Sequence, residues 1–88
     1  MFTDIVGYSR MVGKDEQHAL QLLDQHNHII SQVIEKYKGL VVKFIGDAIF
    51  AEFINPIDAS QCAIEIQHRF VQRNRIENKK NRIHIRIG

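Results

Sequence analysis

The chain has 88 residues, 44% of them hydrophobic and 25% charged, with a formal net charge of +2. That supports one globular domain with a modest core; no second domain, internal repeat or low-complexity tract is visible. The apolar runs are too short for a membrane span, no basic-then-apolar leader reads as a signal peptide, and the single cysteine, Cys62, excludes an internal disulfide and suits a cytoplasmic setting.

Residues 1–6, MFTDIV, are aromatic and β-branched and are followed by Gly7, which predicts the end of a buried strand. Tyr8 and Ser9 then start a short helical turn. From Asp15, a good N-cap, apolar residues recur at helical spacing from Ala19 to Tyr37, and Gly39 is placed to stop this long helix. LVVKFI and AIFAEF read as two strands separated only by Gly46-Asp47, hence a tight hairpin. Asn55-Pro56 is an N-cap followed by a first helical residue. Ala59, Cys62, Ala63, Ile66 and Phe70 form the inner stripe of a second helix that is expected to fray near Asn74 to Asn78. RIHIRIG alternates, with Ile83, Ile85 and Ile87 on one face and Arg82, His84 and Arg86 on the other, as in a half-exposed strand.

The order β-α-β-β-α-β predicts an α+β, ferredoxin-like fold: an antiparallel four-stranded sheet with two helices on one face. That architecture serves many functions, so the function has to come from the site. The first strand is expected to lie centrally, next to the strand that enters the hairpin. Asp4 closes its apolar stretch and Asp47 sits on the hairpin turn, so both fall at one edge of the sheet. Each aspartate alone has a structural explanation in turn chemistry. Two carboxylates so close stay ionised together only with a cation between them, and a small set of hard oxygen donors suits Mg²⁺ or Mn²⁺ bound with substrate phosphates. Gly7, Tyr8 and Ser9 present backbone N–H groups where a phosphate could lie. Lys43 shares a strand with apolar neighbours, on the face of Val41 and Ile45 by strict alternation, which marks a ligand, an interface or an exposed edge.

Other features carry less. His26 and His28 lie about 200° apart around a helix and cannot share an ion. Cys62 reads as a buried structural thiol. Residues 1–68 hold five Lys/Arg and nine Asp/Glu, a balance of −4, whereas residues 69–88 hold seven and one, a balance of +6. The run RNRIENKKNRIHIR lacks aromatics for base stacking and reads as a solvated helix end and loop, so no nucleic-acid partner is expected.

FTDIVGYSR, GLVVKFIGDAIFAEF, DASQCAIEIQ and RIHIRIG, in this order and over the full length, closely resemble the class III adenylate/guanylate cyclase catalytic domain. The resemblance implies an enzyme, a phosphorus-oxygen lyase, and roles for particular residues. Asp4 and Asp47 would bind two Mg²⁺ or Mn²⁺ ions with help from the Ile5 carbonyl. Gly7, Tyr8 and Ser9 would cradle the triphosphate, Tyr-Ser being a mild variant of the family's usual Phe-Thr. Lys43 would read adenine rather than guanine. The implied reaction takes ATP, possibly GTP, to the cyclic nucleotide and pyrophosphate by attack of the ribose 3′-OH on the α-phosphorus. The implied assembly is a head-to-tail homodimer with active sites at its interface.

The family domain continues past RIG for roughly as long again. A second base-reading residue and the Asn and Arg that stabilise the transition state would lie there. The chain is therefore expected to be a piece of a larger cyclase, inactive by itself, with apolar sheet positions exposed where the rest of the domain and a partner would cover them. The alternative is a cyclase-like nucleotide-binding or dimerisation module without catalysis.

Overall fold

A computed structural model describes all 88 residues. β1 (Phe2–Ile5) sends Thr3 and Ile5 into the core, and Phe2 and Asp4 to the opposite face. Gly7 turns the chain with a left-handed φ of 74°, a conformation glycine adopts without steric cost. The short helical turn expected after it is a full element, α1 (Tyr8–Lys14). Asp15 caps α2 (Glu16–Lys36) by accepting a hydrogen bond from the His18 N–H at 3.1 Å.

α2 buries Ala19, Leu22, His26, Ile30, Val33 and Ile34. It does not stop at Gly39 in the way the sequence suggests. Lys38 adopts the left-handed conformation, φ 63°, and the N–H groups of Lys38 and Gly39 return to the carbonyls of Glu35 and Ile34, closing a Schellman motif. Gly39 serves a different need: a Cβ there would lie 2.5 Å from the Phe53 ring.

β2 (Leu40–Ile45) and β3 (Ala48–Glu52) form the expected hairpin across Gly46-Asp47, with Gly46 at φ 55°. Asn55 caps α3 (Pro56–Ile76), its side-chain oxygen accepting from the Ile57 N–H at 2.8 Å. α3 ends at Ile76, within the expected stretch from Asn74 to Asn78, and its end is tied down by the Asn74 amide, which accepts from the Ile83 N–H at 2.9 Å and donates to the Ile83 carbonyl at 2.7 Å. A 3₁₀ turn at Lys79–Asn81 leads to β4 (Ile85–Ile87).

The sheet is antiparallel throughout in the order β2-β3-β1-β4. β1 is central as expected, but its hairpin neighbour is β3, the strand that leaves the turn, and not β2, which enters it. Thr3 pairs with Ile49, and Asp4 with Arg86 on the other side. The core lies between one sheet face and the helices: Ile5, Ile49, Ala51 and Ile83 pack against Leu22, Ile30, Val33, Ile34, Cys62, Ile66 and Phe70. Each large aliphatic side chain removed from water there contributes about 1.5–3 kcal/mol. Glu65 ties α3 to the end of α2, accepting from Lys36 at 2.6 Å, Tyr37 at 2.8 Å and Arg69 at 3.1 Å. These donors pull its carboxyl down to a pKa of about 2.

The other sheet face carries no helix. Edge strand β2 leaves about half or more of Leu40, Val42, Phe44 and Ile45 exposed, Leu40 and Ile45 on this open face, which agrees with the expected uncovered apolar positions. No helix is long and apolar enough to cross a membrane.

Candidate functional site

Asp4 ends the open-face row of β1. In the antiparallel register its cross-strand neighbour is Arg86 of β4. The guanidinium grips both carboxylate oxygens, Nε to Oδ1 at 3.0 Å and Nη2 to Oδ2 at 2.9 Å. Such a bidentate fork is a stronger contact than a single neutral hydrogen bond. The carboxylate, in turn, holds the Arg86 guanidinium above its ordinary pKa. Asp4 thus has a cationic partner, the Arg86 guanidinium, on both of its oxygens.

Asp47 reaches the same strand end from the hairpin. Because β3 is hydrogen-bonded to β1, the turn before β3 lies beside the end of β1. There the Asp47 Oδ2 accepts from the Ile5 N–H at 2.8 Å. One carboxylate therefore belongs to Asp4 and the next is anchored on the amide of the adjacent residue. Asp47 also faces the start of α1: the Tyr8 hydroxyl is raised above its usual pKa, first by burial and then by the Asp47 charge. Gly7 stands at the N-cap of α1 with no side-chain cap, so the first N–H groups of the helix remain free to donate.

No third aspartate, glutamate, histidine or cysteine joins the two aspartates into a cluster able to hold a metal. Two hard carboxylates with little else do not make the closed cage of a structural zinc or a high-affinity calcium site. They fit Mg²⁺ or Mn²⁺, which keep waters and share their shell with phosphate oxygens. The residues present therefore fit the expected ions.

Lys43 lies elsewhere on the same open face. Strict alternation puts it with Val41, and the structure corrects this. A β-bulge between Val41 and Lys43 resets the register, so that Val41 opposes Ala51 on the core side while Lys43 opposes Phe50 on the open side. Its ammonium sits 5.5 Å from the Phe50 ring centroid, and Phe50 in turn packs on Phe2 at 5.1 Å. The open face thus carries two groups: the aspartates with Arg86 and the α1 turn at one end of β1, and Lys43 over an aromatic pair near the other.

Arg86 is the residue the sequence reading missed; the alternation of RIHIRIG put it on the polar face, but its pairing with Asp4 is a property of register. His26 is the second surprise. It is fully buried, its Nδ1 lies 2.9 Å from the Asn27 side-chain oxygen, and its Nε2 has no partner. Its dismissal as half of a histidine pair holds, since His28 is exposed on another side of α2.

The model of the family described as the adenylate and guanylate cyclase catalytic domain matches residues 1–88. Adenylate cyclase 1 of Rhizobium meliloti (strain 1021) is 26% identical over 77 residues, 78% of this chain and 12% of that protein. A second protein of that organism, also named for adenylate cyclase, is 31% identical over 87 residues, 97% of this chain and 15% of its own length. Among solved structures, the adenylate/guanylate cyclase/hydrolase from Silicibacter pomeroyi is 34% identical with a TM-score of 0.85, covering 98% of this chain and 51% of that one. A bacterial light-regulated adenylyl cyclase is 26% identical with a TM-score of 0.86 over 96% of this chain and 26% of its own. The chain thus spans about half of one solved relative, and 15% or less of these two curated proteins.

Proposed function

The chain belongs to the adenylate and guanylate cyclase catalytic domain family, and from that premise we propose that it supplies the metal-binding part of an adenylate cyclase site that converts ATP to cyclic AMP and pyrophosphate. The observation that supports this most is the meeting of Asp4 and Asp47 at one strand end, the second held on the Ile5 amide and the first already neutralised by a cationic side chain. Asp4, Asp47 and the Ile5 carbonyl would hold two Mg²⁺ or Mn²⁺ ions, which supply charge neutralisation for the triphosphate and acidify the ribose 3′-OH.

The chain's own groups do the rest. Backbone N–H groups at Gly7, Tyr8 and Ser9 donate to phosphate oxygens, favoured by the left-handed turn that opens α1. Arg86, which holds both Asp4 oxygens, would have to yield them where Asp4 holds a divalent ion, and its guanidinium would then be available to the phosphates. Lys43 donates to the unprotonated N1 of adenine; guanine carries a proton at that position and offers it no acceptor. The exposed Leu40 and Ile45 of β2, on the open face with Lys43, fit a homodimer interface in which Lys43 of one copy reads the base of a nucleotide held by the carboxylates of the other.

The test is product analysis of the complete protein with Mn²⁺ and ATP. Cyclic AMP and pyrophosphate in equal amounts are expected. Nucleotide and metal binding without either product would leave the chain as part of a non-catalytic module.

A further inference from the structure

Behind the Gly7 turn, α1, the 3₁₀ turn and the lead into β4 enclose a groove of about 260 Å³; Val6 and Gly7 line its inner end, so it adjoins the proposed triphosphate cradle but includes neither Asp4 nor Asp47. Arg10 and Lys14 face it from α1, one helical turn apart, and Lys79, Lys80, Arg82 and His84 face it from the other side. No carboxylate lines it. The ion pairs of the molecule are Lys36–Glu65, Arg69–Glu65 and Arg86–Asp4, so none of these five Lys/Arg side chains is neutralised. The basic run seen in the sequence as a solvated helix end is thus joined by two cations from the far end of the chain.

The wall of the groove is fixed. The His18 ring Nε2 lies 3.1 Å from the Lys80 carbonyl. Arg73 donates to the Asn81 carbonyl at 2.8 Å, and Asn74 holds Ile83 through both its N–H and its carbonyl. A gathering of unpaired like charges on a tethered backbone is unfavourable by itself and turns favourable when a multiply charged anion enters.

We propose that this groove binds a compact oligophosphate, pyrophosphate or a longer phosphate chain, at a site distinct from the Asp4–Asp47 pair. Its concavity and small volume fit a condensed anion better than a flat lipid surface. Its lining holds no Phe, Tyr or Trp to serve as a stacking platform for a nucleobase. It contains no metal-ligating carboxylate, so binding needs no divalent cation.

The probe is inorganic pyrophosphate, titrated into the ¹⁵N-labelled chain in the presence of EDTA and followed by amide shifts. Saturable shifts are expected at residues 10–14 and 79–84, with the affinity reduced about tenfold or more by K79Q/K80Q and by R10Q/K14Q, and unchanged by Asp47→Asn. Raising the ionic strength about tenfold should weaken binding strongly, because the cations are exposed. Absence of shifts overturns the proposal. So does binding that is lost in Asp47→Asn but kept in the glutamine variants, which would return the phosphate to the carboxylate site. Binding of anionic vesicles or of a single-stranded oligonucleotide that pyrophosphate fails to displace would mark a macromolecular surface instead.

Discussion

Asp47 has two jobs in the structure, and two substitutions separate them. Its carboxylate accepts the Ile5 N–H at 2.8 Å, at a residue only 2% exposed, and it stands beside Asp4 at the proposed metal site. Asp47→Ala removes both the charge and the acceptor. The Ile5 amide is then left without a partner in a largely dry place, which costs about 1.5–3 kcal/mol for a hydrogen bond to a charged group. For a domain of this size that is a fall in Tm on the order of 10 °C. Asp47→Asn keeps an oxygen for the same N–H and loses only the charge, so its stability should stay within about 1 kcal/mol of the parent. Thermal unfolding of the chain measures the first effect, and cyclic AMP formation by the complete protein measures the second, which both variants should reduce to background. An alanine variant as stable as the asparagine one would refute the anchoring role. An active asparagine variant would refute the metal role.

Three further outcomes follow from individual contacts. Lys43→Glu should move the ATP/GTP preference of the complete protein toward GTP, as read from parallel cyclisation rates; an unchanged ratio would return Lys43 to the part of a solvated side chain over Phe50. His26 is buried and its pKa lies below the usual 6.5, first because burial disfavours the charged ring, so the folded state resists its protonation while the unfolded state accepts it. Its contribution to stability is therefore complete above pH 6.5 and declines as pH falls toward the folded value; denaturant melts at pH 7.5 and 5 should show this loss, and His26→Leu should flatten it. Gly39→Ala should cost about 1–3 kcal/mol in a denaturant melt, because the added methyl would come within 2.8 Å of the Phe53 ring and the Ile34 side chain, which must shift to admit it; a neutral result would mean that Phe53 rotates away freely.

Local chemistry was legible in the sequence where it acts within a few residues. Asp15 and Asn55 cap the helices they precede, Gly46-Asp47 turns the hairpin, and the apolar spacing of α2 and α3 marks their buried faces. Errors arose where the deciding contact comes from a distant segment. Alternation in LVVKFI cannot reveal a bulge that only the β3 partner defines, so Lys43 was put on the wrong face relative to Val41. The end of α3 near Asn74 to Asn78 is where the sequence puts it, but the tie from the Asn74 amide to Ile83 is not readable from it. Arg86 is one polar residue among several in RIHIRIG until antiparallel pairing puts it opposite Asp4. The two aspartates were identified from their positions at strand ends. The turn reaches that edge whether β2 or β3 pairs with β1, so the expected juxtaposition did not depend on which strand is the neighbour, which is β3.

The central claim is that Asp4 and Asp47 act together as the cation-holding pair of a cyclase. It is tested most directly by Asp4→Asn in the complete protein, assayed for cyclic AMP with Mn²⁺ and ATP. Asparagine preserves the shape of the side chain and an acceptor for Arg86 while removing the charge that holds a metal ion. Cyclic AMP formation at background level, with an unfolding curve close to that of the parent, is the expected result. Formation at the parental rate would contradict the account.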